Sequence, residues 1–129
     1  MTTAMLGKRL PSKRILVAED DLMVAHTLRM ALTVDGHTVE MAQDGKEALA
    51  MFESGKHDLV ITDFKMSNMD GLELAEAIKK CSQSTPVILL TDHVEAITAA
   101  GGPASNVDVV LRKPCSVREL QAALEKLFS

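Results

Sequence analysis

The sequence predicts a single α/β domain built as a doubly wound parallel sheet in (βα)₅ order. Three observations predict it. Short, continuous apolar runs recur along the chain, as strands buried on both faces require. Segments with helical apolar spacing alternate with those runs. Several helix starts carry an acid or serine followed three residues later by Glu, the pattern that satisfies free amides in a first turn. The length, 129 residues, suits one compact domain, and no internal repeat or second domain interrupts the alternation.

Residues 1–13 read as a flexible, mildly basic tail (Lys8, Arg9, Lys13) with Pro11 near its end, and residues 14–129 as the domain. The tail lacks the apolar core of a signal peptide. The first strand, Arg14–Ala18, runs Ile15-Leu16-Val17 and leads into Glu19-Asp20-Asp21. Leu22, Ala25, Leu28 and Leu32 then recur at helical spacing. In the second strand, His37–Ala42, Val39 and Met41 alternate with Thr38 and Glu40, an edge pattern with one wetter face. Asp44 with Glu47 opens the next helix, whose inward residues are Ala48, Leu49 and Phe52.

The third strand, Asp58–Thr62, buries Leu59-Val60-Ile61 and delivers Asp63 at its carboxyl end. Asp70 with Glu73 opens a helix bearing Leu74, Ala75 and Ile78. The fourth strand, Pro86–Leu90, leads to Thr91. Asp92 with Glu95 caps a helix that Gly101-Gly102-Pro103 should cut short. The fifth strand, Asp108–Leu111, leads to Lys113-Pro114, and Ser116 with Glu119 opens a last helix carrying Val117, Leu120, Leu124 and Leu127. Right-handed crossovers place such helices on both faces of the sheet.

Composition narrows the function. An apolar fraction of 47% argues against disorder, and no apolar run approaches the roughly 18 residues that span a bilayer. Net charge is −4, the basic residues form no stripe, and the only aromatics are Phe52, Phe64 and Phe128, which disfavours direct nucleic-acid binding. Cys81 and Cys115 form neither a disulfide framework nor a zinc motif. The expectation is a soluble, cytoplasmic protein with no membrane insertion. Cys115 reads as a structural thiol, His26 as a packing residue and the methionines as core filler.

In a parallel sheet the carboxyl ends of all strands share one edge, where ligands gather. That edge collects Glu19-Asp20-Asp21, Asp63, Thr91 and Lys113. Clustered carboxylates repel, and a hard divalent cation relieves them; Mg²⁺, with few protein oxygens and several waters, is the natural choice. Its presence points to a phosphoryl group, for which Lys113 offers a positive charge and Thr91 a hydroxyl donor.

In this order, each at a strand end, these residues resemble the receiver domain of two-component response regulators over about Arg14 to Phe128. The resemblance implies a flavodoxin-like fold with strand order 2-1-3-4-5. It implies that Asp63 accepts a phosphoryl group from a phosphohistidine on a sensor histidine kinase or histidine phosphotransfer protein. Glu19, Asp20, Asp63 and the backbone carbonyl of Lys65 would hold Mg²⁺. Lys113 and Thr91 would contact the phosphoryl, and Lys113–Pro114 would be a cis peptide. Output would be a phosphorelay signal passed through contact with a further protein, with self-catalysed phosphoryl transfer and hydrolysis rather than small-molecule turnover.

Three positions depart from the family's usual pattern. Ser67 replaces a proline in the loop after Asp63, Val110 replaces an aromatic three residues before the lysine, and Asp92 replaces a small residue after the threonine. They motivate a second reading, a pseudo-receiver that signals without phosphate. A small aspartyl phosphatase of the haloacid-dehalogenase type is a third reading. It is disfavoured by Lys65, which occupies the position where that chemistry needs a second acid, and by a chain short for a cap domain.

Overall fold

The computed structural model describes residues 11–95 and 106–129. The proposed tail falls largely in residues 1–10, and Gly101-Gly102-Pro103 falls in residues 96–105; both lie outside the described residues. The elements are β1 (Arg14–Ala18), α1 (Leu22–Val34), β2 (Thr38–Ala42), α2 (Gly45–Ser54), β3 (Leu59–Asp63), α3 (Gly71–Cys81), β4 (Val87–Thr91), β5 (Val109–Arg112) and α4 (Val117–Phe128).

All five strands pair in parallel in the order β2-β1-β3-β4-β5, the flavodoxin-like arrangement. β1, β3 and β4 are buried on both faces, which is why their runs are continuously apolar. β2 and β5 form the edges and are only partly buried. Alternation along each strand sorts side chains into two cores. Ile15, Val17, Ile61 and Ile88 pack with Leu28 and Leu32 of α1 and Leu120 and Leu124 of α4. Leu16, Val60 and Val87 pack with Ala48 and Phe52 of α2 and Leu74 and Ile78 of α3. Burying each such aliphatic side chain contributes about 1.5–3 kcal/mol, enough to hold both helical layers.

Register refines the strand ends. β3, β4 and β5 each begin and end one residue later than the expected ranges 58–62, 86–90 and 108–111, so Asp63 and Thr91 are the last residues of β3 and β4 rather than the first of the loops. The ladder continues past them: Phe64 N donates to Leu90 O at 3.0 Å, and Lys113 N to Thr91 O at 2.9 Å.

Helix α1 departs from expectation. Ala25, Leu28 and Leu32 face the core, but Leu22 in its first turn is 69% exposed. Met23 and Met30 are exposed too, and so is His26, so these residues are neither packing nor core filler. They lie outside the arc that residues 25, 28 and 32 turn toward the sheet.

The capping patterns hold at α2, α3 and α4. Asp70 and Ser116 each make the full reciprocal box, and Asp44 accepts from Glu47 N at 2.8 Å. At α2 the return bond shifts by one residue, from Gln43 N to Glu47 Oε1 at 2.7 Å. Ser116→Ala should therefore lower unfolding stability by about 1 kcal/mol in urea titration while leaving the sheet edge intact. A loss below the detection limit would show that the box adds nothing to α4.

Candidate functional site

Glu19 directly follows β1, its amide still laddered to Ala42 O at 3.0 Å. Its side chain is drawn under the edge and is 1% exposed. There Oε2 accepts from Asp21 N at 3.1 Å. Asp21 turns the other way and caps α1, with Oδ1 accepting from Met23 N at 2.9 Å and Val24 N at 3.3 Å. Capping thus occupies the third acid of the run and leaves Asp20 exposed beside Glu19. The carboxylate oxygens of Glu19, Asp20 and Asp63 come within 4.8 Å of one another. A donor set made only of hard carboxylate oxygens fits a hard divalent cation and is poorly suited to a soft one.

Asp63 is 8% exposed and its two oxygens are differently engaged. Oδ1 accepts from Phe64 N at 2.8 Å, and Oδ2 lies 3.2 Å from Lys113 Nζ. The same ammonium is 3.3 Å from Glu19 Oε1, so Lys113 bridges two strand ends. Lys113 reaches the site from the turn after β5, where Lys113–Pro114 is a cis peptide.

Burial, with the charge of Asp63 adding to it, raises the Glu19 carboxyl to about 7; the Asp21 amide and Lys113 oppose the rise. Burial alone would lower the Lys113 ammonium, but Glu19 and Asp63 outweigh it and hold the group above its usual value. Lys113 therefore stays charged across the physiological range. Cys115, two residues on, packs against the α1–α4 core, and burial pushes its thiol up, away from the reactive thiolate.

Thr91 completes the edge, 2% exposed at the end of β4. Its Oγ1 accepts from His93 N at 3.0 Å, a short turn that leaves the hydroxyl proton to donate elsewhere. Asp92 and His93 are exposed. Glu95 pairs with Arg112 on β5, and this bond holds the Glu95 carboxyl below its usual range. Lys65 is exposed in the loop two residues after Asp63. Glu19, Asp20, Asp63 and Lys113 are thus gathered into one cluster, with Thr91 at the adjacent strand end.

Two features escaped the sequence. One is the bridging role of Lys113, which needs the tertiary position of Glu19. The other is a side-chain bond from Asn68, in the β3–α3 loop, to Asp44 at the start of α2. The Asn at this turn is a local signal, but its partner 24 residues away is not.

A 2-1-3-4-5 parallel sheet with its polar groups gathered at the carboxyl edge defines the flavodoxin-like class of α/β domain. Comparison with known proteins is more specific. The sequence profile of the response regulator receiver domain matches residues 15–125, and the chain belongs to that family. It is 36% identical over 115 residues to the response regulator MprA of Mycolicibacterium vanbaalenii, covering 89% of this chain and 50% of that protein. The MprA of Mycobacterium ulcerans is likewise 36% identical, over 117 residues. The chain spans about half the length of the curated relatives it matches.

Among solved structures, the Thermotoga maritima response regulator TrrA in complex with Mg²⁺–BeF superposes with a TM-score of 0.82 at 34% identity. The match covers 89% of this chain and 98% of that one. The Vibrio cholerae chemotaxis protein CheY4 gives 0.83 at 28% identity, covering 91% and 99%. Receiver domains are two-component signalling modules, not enzymes that turn over small molecules. Among the described residues no helix is long and apolar enough to cross a membrane.

Proposed function

We propose that this chain accepts a phosphoryl group on Asp63 from a phosphohistidine of a sensor histidine kinase or histidine phosphotransfer protein. A single observation carries the reading: a nearly buried strand-end carboxylate, held between an amide and an ammonium, shares its edge with two further acids. In the transfer, an Asp63 carboxylate oxygen attacks phosphorus. The P–N bond of the phosphohistidine breaks, its electron pair leaves with the imidazole nitrogen, and Asp63 becomes an acyl phosphate.

Lys113 gives up its contact with Asp63 to meet the phosphoryl oxygens, and the Thr91 proton donates to another of them. Glu19, Asp20, Asp63 and the Lys65 carbonyl would hold Mg²⁺, which when bound neutralises charge on the transferring group. A groove of about 430 Å³, lined by residues that include Met23, Thr27, Lys113 and Pro114, opens beside the site. With the exposed Leu22 and Met23 it offers apolar surface for a docking protein. Output passes through a protein contact that differs between the two states.

The test is incubation with acetyl phosphate and Mg²⁺ followed by intact mass. One added phosphoryl group, lost on omission of the cation, is expected. An unmodified chain under every donor, a purified kinase included, would overturn the reading in favour of the pseudo-receiver. Steady turnover of a phosphomonoester would instead revive the phosphatase.

Mg²⁺ should also stabilise the fold, and more so at higher pH. The Glu19 carboxyl titrates near 7 in the fold against an ordinary value of 4.5. Its contribution to stability is therefore intact below about pH 4.5 and lost as pH rises through 7. The cation competes for the ionised form. At about ten times its dissociation constant it should add about 1.4 kcal/mol at pH 8 and distinctly less at pH 5.5. Thermal melts with and without Mg²⁺ at both values check this, and an equal or larger shift at the lower pH would refute it.

A further inference from the structure

The loop from Phe64 to Asp70 carries the residues that follow Asp63, and its conformation is unusual. Asn68 has φ +70°, the only positive φ outside glycine among the described residues. Met69 N donates to Ser67 O at 2.7 Å, closing a three-residue turn centred on Asn68. Turns of that hand are rare and strained, and persist where surrounding contacts over-determine them.

The contacts here are specific. Asn68 Nδ2 donates to Asp44 Oδ2 at 2.8 Å, while Asp44 Oδ1 accepts from Glu47 N at 2.8 Å. One carboxylate therefore caps α2 and grips the loop. The Glu47 amide, and then Asn68 itself, hold the Asp44 carboxyl below its usual range, so the acceptor stays ionised. Gly45 permits the approach, since a Cβ there would stand 2.4 Å from Met69 O. At the loop's other end Gly71 N donates to Phe64 O at 2.7 Å. Only Lys65, Met66 and Ser67 lie between these anchors, and Ser67 lacks the fixed φ of a proline.

We propose that Asn68 and Asp44 are positioning residues: their bond clamps the β3–α3 loop onto α2 and sets the Lys65 carbonyl relative to Asp63. The inference rests on the reading of Asp63 as a metal-dependent phosphoacceptor. Neither residue is among those assigned to the phosphoryl group. The clamp acts through the backbone it fixes, in place of the constraint proline supplies elsewhere.

The test uses the full chain with Asn68→Gly, Asp44→Ser and the double variant. Glycine keeps positive φ accessible while withdrawing the side-chain amide. Serine keeps a cap on α2 and withdraws the carboxylate. Each single change should raise the Mg²⁺ half-saturation in calorimetric titration about tenfold and slow phosphorylation by acetyl phosphate to a similar degree. Amide exchange at Lys65–Met69 should quicken, while the thermal midpoint stays close to that of the unaltered chain.

The double variant should be no worse than the weaker single one, because both changes break one bond. An Asn68→Gly protein with unchanged Mg²⁺ half-saturation, or losses that add in the double variant, would overturn the clamp. If the unaltered chain takes neither Mg²⁺ nor phosphate, the phosphoacceptor reading fails separately. The clamp is then judged on amide exchange alone, where quickening in both single variants supports it and unchanged exchange overturns it.

Discussion

Asp63→Asn is expected to yield a folded protein that carries no phosphoryl group. The amide is isosteric with the carboxylate but is not a nucleophile, so adduct formation should fall by about a thousandfold or more. The fold has no reason to suffer. Lys113 keeps its second partner, Glu19, at 3.3 Å. The charge of Asp63 is one of the influences that raise Glu19, after burial, and removing it lets Glu19 ionise more readily. Intact mass after acetyl phosphate treatment, read beside a thermal melt, separates the two effects. An adduct at unaltered yield would move the acceptor to another residue, whereas a collapsed melting midpoint would show that the Asp63–Lys113 pair holds the edge together.

Gly71→Ala should be the most damaging conservative change near the site. A Cβ at position 71 would stand 2.3 Å from the Asp63 carbonyl oxygen and 2.7 Å from Leu89 Cδ1. The leucine methyl can shift. The carbonyl cannot, since it belongs to the last residue of β3 and already accepts from Thr62 Oγ1 at 2.9 Å. Either α3 lifts off the sheet or the end of β3 moves. A loss of about 3 kcal/mol follows, read as a lower urea midpoint and a thermal midpoint lower by about 10 °C. A change within experimental error would mean that α3 is free to slide, and that the loop is set from elsewhere.

Most of the fold was legible because its interior strands are buried on both faces. Ile15-Leu16-Val17, Leu59-Val60-Ile61 and Val87-Ile88-Leu89-Leu90 admit no alternation, and each leads to a polar residue. Hydrophobicity marks where a strand is buried, but hydrogen bonding decides where it ends. The ladder therefore runs past the apolar run, by two residues to Asp63 and by one to Thr91. In α1 the spacing puts Leu22 on the core face, because spacing alone does not say which residues in a first turn reach the sheet; Met23 and Met30, core filler by residue type, lie off the buried arc. The acids, the hydroxyl and the lysine were visible through their place at strand ends. Their mutual arrangement was not. Which oxygen of Glu19 meets Lys113, and which residue caps α1, depend on side-chain directions that only packing fixes.

The sheet ladder has a consequence for how this domain tolerates change over evolutionary time. Asp63 is paired with Leu90, Thr91 with Arg112, and Lys113 N with Thr91 O. The spacing of these three groups is thus written in backbone pairing, and the side chains on the two sheet faces do not set it. Core substitutions that shift neither strand would shrink the folded population and leave each folded molecule as competent as before. Sequence drift through the two cores and adaptation at the edge can then proceed almost independently, until stability runs out.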